Sequence, residues 1–381
     1  MPEVPFNRAY LAGNETGYVA QAIASGATGG DGSFTKKASA LVSSLTGTTS
    51  TLLTTSCTHA LELSALLLDI GPGDEIIMPS FTFTSTANAF VLRGATPVFV
   101  DIRPDTLNLD ERLIENAVTG RTRAIVVVHY AGVACEMAAI LAIANRHRLV
   151  VVEDNAHGLG GSYAGRPLGS FGVLATQSFH VTKNVQCGEG GALAIGDERL
   201  SERAEIVREK GTDRARFFRG QVDKYCWREL GSSYLPSDVL AAYLLGQLEA
   251  FPDIQGKRLR IWSTYDDALA DWSAEHGIQR PTVPADRTHP AHLYYLLLPT
   301  APARDEFIRH LAERGVRAAH HYQPLHSAPA GRRYARTAGC PVTEDIADRL
   351  VRLPLFAGMT AAELEHVVVS AISYAPAVVT T

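Results

Sequence analysis

Lys183 is the residue around which chemistry is most easily drawn. It stands in Ser178-Phe-His180-Val-Thr-Lys183-Asn184, between the apolar run Val173–Phe179 and the turn Gly188-Glu-Gly-Gly191. A lone lysine is ordinarily a solvated surface group. Pressed between an apolar strand and a glycine turn it has another use, because burial lowers the pKa of an ammonium and frees an amine nucleophile suited to a Schiff base. The glycines also let the backbone come close to a ligand. Asp154 ends a second apolar run, Leu149–Glu153, and reads either as a turn-capping residue or as a carboxylate facing a ligand cation. The third cluster, Thr54-Thr-Ser-Cys57-Thr58-His59, directly precedes an apolar helical stretch. N-capping accounts for one hydroxyl; several hydroxyls and free amides at a helix start also make an anion site.

The surrounding elements set these clusters in one place. Ala60–Leu68 reads as a helix, Glu75–Met78 as a strand, Thr84–Leu92 as a helix, Thr96–Val100 and Ala124–His129 as strands, and Met137–Arg146 as a helix before Leu149–Glu153. Helices alternating with strands that are apolar on both faces predict a mainly parallel sheet between helix layers. Ligands of such sheets bind beyond the carboxyl ends of the strands, where all three clusters fall. The stretch Gly158-Leu-Gly-Gly-Ser-Tyr163 lacks the third glycine of a dinucleotide fingerprint and follows the acidic residue, and there is no phosphate-binding GxxxxGK[ST] loop. A phosphate cradle, a carboxylate and a lysine together are the set that pyridoxal phosphate (PLP) requires.

Beyond residue 237, Leu240, Leu244, Leu248 and Phe251 form one helical stripe, which Pro252 is expected to stop. A helix around Lys257–Trp272 follows, then a strand at Leu293–Leu298, a helix at Arg304–Arg314, a strand at Val316–His320 and a last helix near Ala361–Ser373. The expected division is a large α/β domain over 1–250 and a smaller α+β domain over 251–381. The 381 residues carry 35 basic and 40 acidic side chains, a net charge of −5, and are 46% hydrophobic. At about 150 residues per domain that length suits two or three domains. The composition excludes wholesale disorder and gives no electrostatic footprint for nucleic acid. No apolar run is long enough to span a membrane, and no signal peptide is evident. The five cysteines are dispersed, with no CxxC, so neither a disulfide scaffold nor a metal site is expected, and the usage fits a cytoplasmic protein.

Asp154 and Lys183 are 29 positions apart, and SFHVTKNVQCGEGGA resembles the Schiff-base segment of the PLP-dependent nucleotide-sugar aminotransferases of the DegT/StrS type. GDEIIMPSFTFTSTANAFVLRGATPVFVDI, VVEDNAHGLGGSYAGRPLGSFG and HHYQPLHSAP extend the resemblance from about Phe6 to Tyr374. It implies the aspartate-aminotransferase fold (fold type I). A narrower likeness lies in GTDRARFFRGQVDKYCWRELGSSYLPSDVLAAYLLGQLE, which resembles the branch acting at C4 of TDP-4-oxo-6-deoxy-D-glucose.

The resemblance implies roles. Lys183 carries the Schiff base and moves the proton, and Asp154 pairs with the pyridine nitrogen. His157 faces the ring hydroxyl and Phe83 stacks on the ring, unless Phe83 is plain core. Cys57, Thr58 and Ser178 hold the phosphate. Ser233 stands where the family has an asparagine that reaches a phosphate in the neighbouring subunit. His180, Arg219, Tyr225 and His321 border the sugar-nucleotide site, partly across a dimer interface; structural packing or surface ion pairs would account for them equally well. The implied reaction moves an amino group from L-glutamate to C4, giving 2-oxoglutarate and a TDP-4-amino-4,6-dideoxyhexose, in a homodimer. A C3-aminotransferase shares nearly all the cofactor residues. The related sugar 3-dehydratases carry histidine in place of the lysine. A non-catalytic regulator on the same fold usually needs an added DNA-binding module, for which the sequence leaves no evident room.

Overall fold

The computed structural model describes residues 3–375; residues 1–2 and 376–381, the outer ends of the two expected domains, lie outside the described residues. Ten strands position the site. In chain order they are β1 (Ser50–Thr54), β2 (Glu75–Pro79), β3 (Thr96–Val100), β4 (Thr122–Val128), β5 (Val150–Asp154), β6 (Leu174–Ser178), β7 (Gly191–Ile195), β8 (Tyr294–Leu297), β9 (Arg336–Thr337) and β10 (Leu350–Leu353). Eight of them form one sheet in the order β1-β7-β6-β5-β4-β2-β3-β9. Only β7 runs antiparallel to its neighbours; every other pairing is parallel.

The sequence explains the sheet. Residues 124–128 and 151–154 are buried throughout, which suits β-branched runs covered by helices on both faces. One face packs on the helix Cys57–Leu67 through Leu61, Leu63 and Ile76. The other packs on Met137–His147 through Ile140 and Ile143. This is the α/β architecture of fold type I. The carboxyl ends of β1, β4, β5 and β6 and the start of β7 open at one edge.

The C-terminal part centres on the antiparallel pair β8–β10. Tyr294, Leu296, Val351 and Leu353 point into a core with Tyr265, Trp272 and Phe307. Tyr295 and Leu297 belong to a different cluster, with Phe81 and Tyr130 of the large sheet's segment. The alternation of side chains along a strand produces that division. Val4 pairs with Val316 and joins the C-terminal core, so the start of the chain crosses to it.

Three local expectations change. Pro252 does not stop a helix: Asp238–Glu249 ends first, and Pro252 sits in the first turn of the next helix, Phe251–Ala268, where its missing N–H costs nothing. Val316–His320 is not a strand and makes only isolated bridges, Val4–Val316 and Ala319–Arg352. The helix Pro341–Arg349 and strand β10 were not anticipated. Among the described residues no helix is long and apolar enough to cross a membrane.

Candidate active site

A cavity of about 620 Å³ opens at the carboxyl edge of the sheet, a size ordinary for a small-ligand pocket. Asp154 enters it as the last residue of β5. Its Oδ2 accepts a 2.7 Å hydrogen bond from the Thr86 hydroxyl, and Oδ1 accepts from the amide of Ala156. Burial raises its carboxyl pKa, and those two hydrogen bonds and Lys183 oppose the rise. A dry carboxylate of this kind is stabilised by a cation brought to it.

Lys183 enters from the loop between β6 and β7. That loop folds back on itself through Phe179 N–H to Gly190 O, Cys187 N–H to Phe179 O and Val181 N–H to Gly188 O, with Gly188 in the left-handed region at φ +80°. Glycine supplies that conformation at no steric cost. Burial among its neighbours lowers the Lys183 ammonium to about 8, with Cys57 and Asp154 countering part of the effect. Near neutral pH a useful fraction of such a group is free amine.

The helix Cys57–Leu67 starts at the same edge. Ser56 is its N-cap and accepts from the His59 amide at 3.1 Å. The Thr58 hydroxyl meets that of Ser85 at 2.8 Å. Burial pushes the Cys57 thiol well up, so it is not a nucleophile. Ser178 closes this corner. Phe83, which caps the Thr84–Val91 helix, is 59% exposed although it lines the cavity. An aromatic ring left open there is available to stack on a planar ligand.

The fourth wall is imidazole and phenol. His157 is buried and stacks on His292 at 4.2 Å between centroids, and its Nδ1 has no partner. Burial and the charge of Lys183 keep it neutral. His321 stacks on Tyr322 at 3.4 Å and shares a 3.2 Å hydrogen bond with the Tyr130 hydroxyl. His180 stands at the rim, with Nδ1 2.8 Å from the Thr182 hydroxyl.

Nine of the residues singled out in the sequence therefore line one cavity: Lys183, Asp154, His157, Phe83, Cys57, Thr58, Ser178, His180 and His321. The other three lie on the outer surface of the segment 211–233. Arg219 pairs with Glu205 at 2.8 Å. Tyr225 is half exposed against Phe217, and Ser233 is exposed in a bridge to Glu209. Sequence reasoning missed Ser85, Thr86, His292, Tyr322 and Arg352. Ser85 and Thr86 are hydroxyls inside a segment already singled out. Tyr322 adjoins His321 inside the HHYQPLHSAP motif, whereas His292 and Arg352 come from distant chain segments and carry no local signal.

The residues fit pyridoxal phosphate. The buried carboxylate lacks a cation, His157 has an idle nitrogen, a helix start faces the cavity, and a depressed lysine and an open aromatic ring stand beside them. A sequence profile of the DegT/DnrJ/EryC1/StrS aminotransferase family matches residues 10–372. The chain belongs to this family and is a PLP-dependent sugar aminotransferase. It is 35% identical over 316 residues, 80% of each chain, to the uncharacterized protein MJ1066 of Methanocaldococcus jannaschii. The aminotransferase TlmJ of Streptoalloteichus hindustanus superposes with a TM-score of 0.90, at 30% identity over 98% of each chain. Spr1654 of Streptococcus pneumoniae, assigned as a sugar aminotransferase and solved in its pyridoxamine-phosphate form, gives a TM-score of 0.90 at 27% identity over 98% of this chain and 97% of its own.

Proposed function

We propose that this protein transfers the amino group of L-glutamate to C4 of a TDP-4-oxo-6-deoxyhexose, with Lys183 as the catalytic base and acid. The observation that carries the catalytic assignment is the opening of Lys183, Asp154 and the Cys57–Leu67 helix start into one cavity. When bound, PLP supplies an electron sink that lets an amino group pass between two carbon skeletons.

The chain's own residues do the rest. Asp154 holds the pyridine nitrogen protonated, and Thr86 keeps its carboxylate aimed. His157 offers its free Nδ1 to the ring hydroxyl, and Phe83 covers the ring face. The amides and hydroxyls of Cys57, Thr58 and Ser178 hold the phosphate, where the helix dipole favours negative charge. Lys183 anchors the cofactor and then, as a free amine, takes a proton from one carbon and returns it to another. His180 and His321 line the same cavity, and in this reading they contact the sugar substrate.

The C4 assignment rests on the likeness of residues 211–249 to the C4 branch. In this reading Arg219, Tyr225 and Ser233 act at a homodimer interface, Ser233 on the neighbouring subunit's phosphate. The cofactor belongs to the segment 1–250 and the segment 251–381 closes over it, in a cytoplasmic enzyme. Lys183→Ala tests the assignment. It is expected to lose the visible absorbance of lysine-bound cofactor and all transamination, and a fully active alanine variant would sink the reading.

A further inference from the structure

His292 ends a loop, His289-Pro-Ala-His292, that is tied at every residue just before β8. The Asn184 amide donates to the Pro290 carbonyl at 2.6 Å. Arg258, buried on the helix Phe251–Ala268, donates from Nε to the Ala291 carbonyl at 3.1 Å and from a terminal nitrogen to the His292 carbonyl at 2.6 Å. The Ala291 amide donates to His289 Nδ1 at 3.2 Å. Ala291 itself lies in the left-handed region at φ +47°, a conformation unfavourable for a residue with a Cβ. Strain of this kind persists only where the surroundings enforce it, and it gathers at functional sites. Gly132 admits the loop, since a methyl group there would overlap both Pro290 and the His157 carbonyl.

These ties produce a stack. The imidazole of His292 lies on that of His157, 4.2 Å apart at the centroids and 26° from parallel, and both residues line the cavity. Asn184, the residue after Lys183, fixes the proton of His292. Its Nδ2 is spent on Pro290, so its Oδ1, 2.9 Å from His292 Nδ1, acts as an acceptor. His292 therefore carries its one proton on Nδ1. The charged and titratable groups bearing on the two rings are Lys183, Arg258, Arg352 and His321, with the Tyr130 and Tyr322 phenols alongside. None of these is an anion, and burial opposes a second proton on either imidazole. Two neutral rings stack readily, whereas two cations at that spacing would repel.

We infer that His292 is a positioning residue: its anchored imidazole sets the plane of His157 and so aims the idle His157 Nδ1 at the ring hydroxyl of the cofactor. The inference rests on the reading of His157 as the ring-hydroxyl partner. It also ties that contact to the Lys183 segment, because Asn184 holds both the loop and the His292 ring.

The test follows the visible absorbance of the PLP-loaded full chain against pH, without substrate. A hydrogen bond donated to the ring oxygen stabilises its negative charge, which weakens proton binding at the neighbouring lysine-bound nitrogen and lowers the midpoint of the band. His157→Phe removes the donor and sets the full rise in midpoint, about one pH unit for one hydrogen bond to a charged oxygen. His292→Leu removes the stacked ring and is expected to raise the midpoint by about half a unit or more. His292→Phe keeps a flat ring without the anchor, and Asn184→Ala removes the anchor alone; both are expected to raise the midpoint by less. The retained absorbance of bound cofactor shows that each variant folds. A midpoint unmoved in His157→Phe removes the ring-hydroxyl reading and the inference with it. A midpoint that moves in His157→Phe but stays at the wild-type value in both His292 variants overturns the inference alone. So do His292 variants that take up no cofactor or only melt earlier, since those results assign His292 to structure. An unmoved midpoint in Asn184→Ala contradicts the anchoring.

Discussion

The hydroxyl of Thr86 donates to Oδ2 of Asp154 at 2.7 Å, joining the Thr84–Val91 helix to the end of β5. Both residues are buried. The carboxylate is thereby held by a neighbour that is uncharged at any pH of interest, and its remaining lone pairs stay free for a ligand.

Thr86→Val keeps the shape and removes the donor. A hydrogen bond to a charged group contributes about 1.5–3 kcal/mol, so cofactor affinity should fall about 10- to 100-fold, with fold stability changed far less. A cofactor titration followed by absorbance measures it. Wild-type affinity in the valine variant would show that Thr86 does not position Asp154.

Lys183 gives a pH signature. Its folded value of about 8 lies below the 10.5 of an ordinary lysine, because burial disfavours the ammonium. Only the neutral amine attacks an aldehyde, so capture of PLP by the apoprotein should speed up about tenfold per pH unit below 8 and level off above it. The same shift acts on stability. Between about 8 and 10.5 the unfolded chain binds more protons than the folded one, so the apoprotein should gain stability as pH rises through that window; below it the cost of burying the Lys183 ammonium is fully present and no longer varies with pH. Stopped-flow absorbance between pH 6 and 9 checks the first point, and a flat profile contradicts it.

Gly191 tests the phosphate corner. A methyl group at this position would overlap the backbone of Ser56 and Cys57 where the helix begins. Gly191→Ala is therefore expected to displace that helix start, weaken PLP binding at least tenfold and cost about 1–3 kcal/mol of stability. Thermal melts with and without cofactor separate the two effects. A variant with unchanged Tm and cofactor affinity would show that the helix start does not hold the phosphate.

Much of this was legible in the sequence, and the reason is local. Leu149–Glu153 and Val173–Phe179 announce buried strands by their own composition, so Asp154 and Lys183 could be placed at strand ends before any coordinates. The Ser-Cys-Thr run before Ala60 announced a helix start in the same way. What stayed hidden depends on long-range pairing. Leu350–Leu353 is only four residues and has no turn signals of its own; it becomes a strand because Tyr294–Leu297 offers an edge. Arg352 and His292 reach the cavity through that arrangement. Val316–His320 shows the opposite error, since β-branched and apolar residues there are satisfied by packing and two isolated bridges without a ladder. Arg219 illustrates a further limit, because the pairing with Glu205 that occupies its guanidinium spans 14 positions and only the fold reveals it.

The proposed function turns on which sugar carbon receives the amine. The direct measurement is incubation of the holoenzyme with TDP-4-oxo-6-deoxyglucose and L-glutamate, followed by proton coupling constants of the purified sugar product. The expected products are a TDP-4-amino-4,6-dideoxyhexose and stoichiometric 2-oxoglutarate. A 3-amino sugar, or no aminated sugar at all, would contradict it.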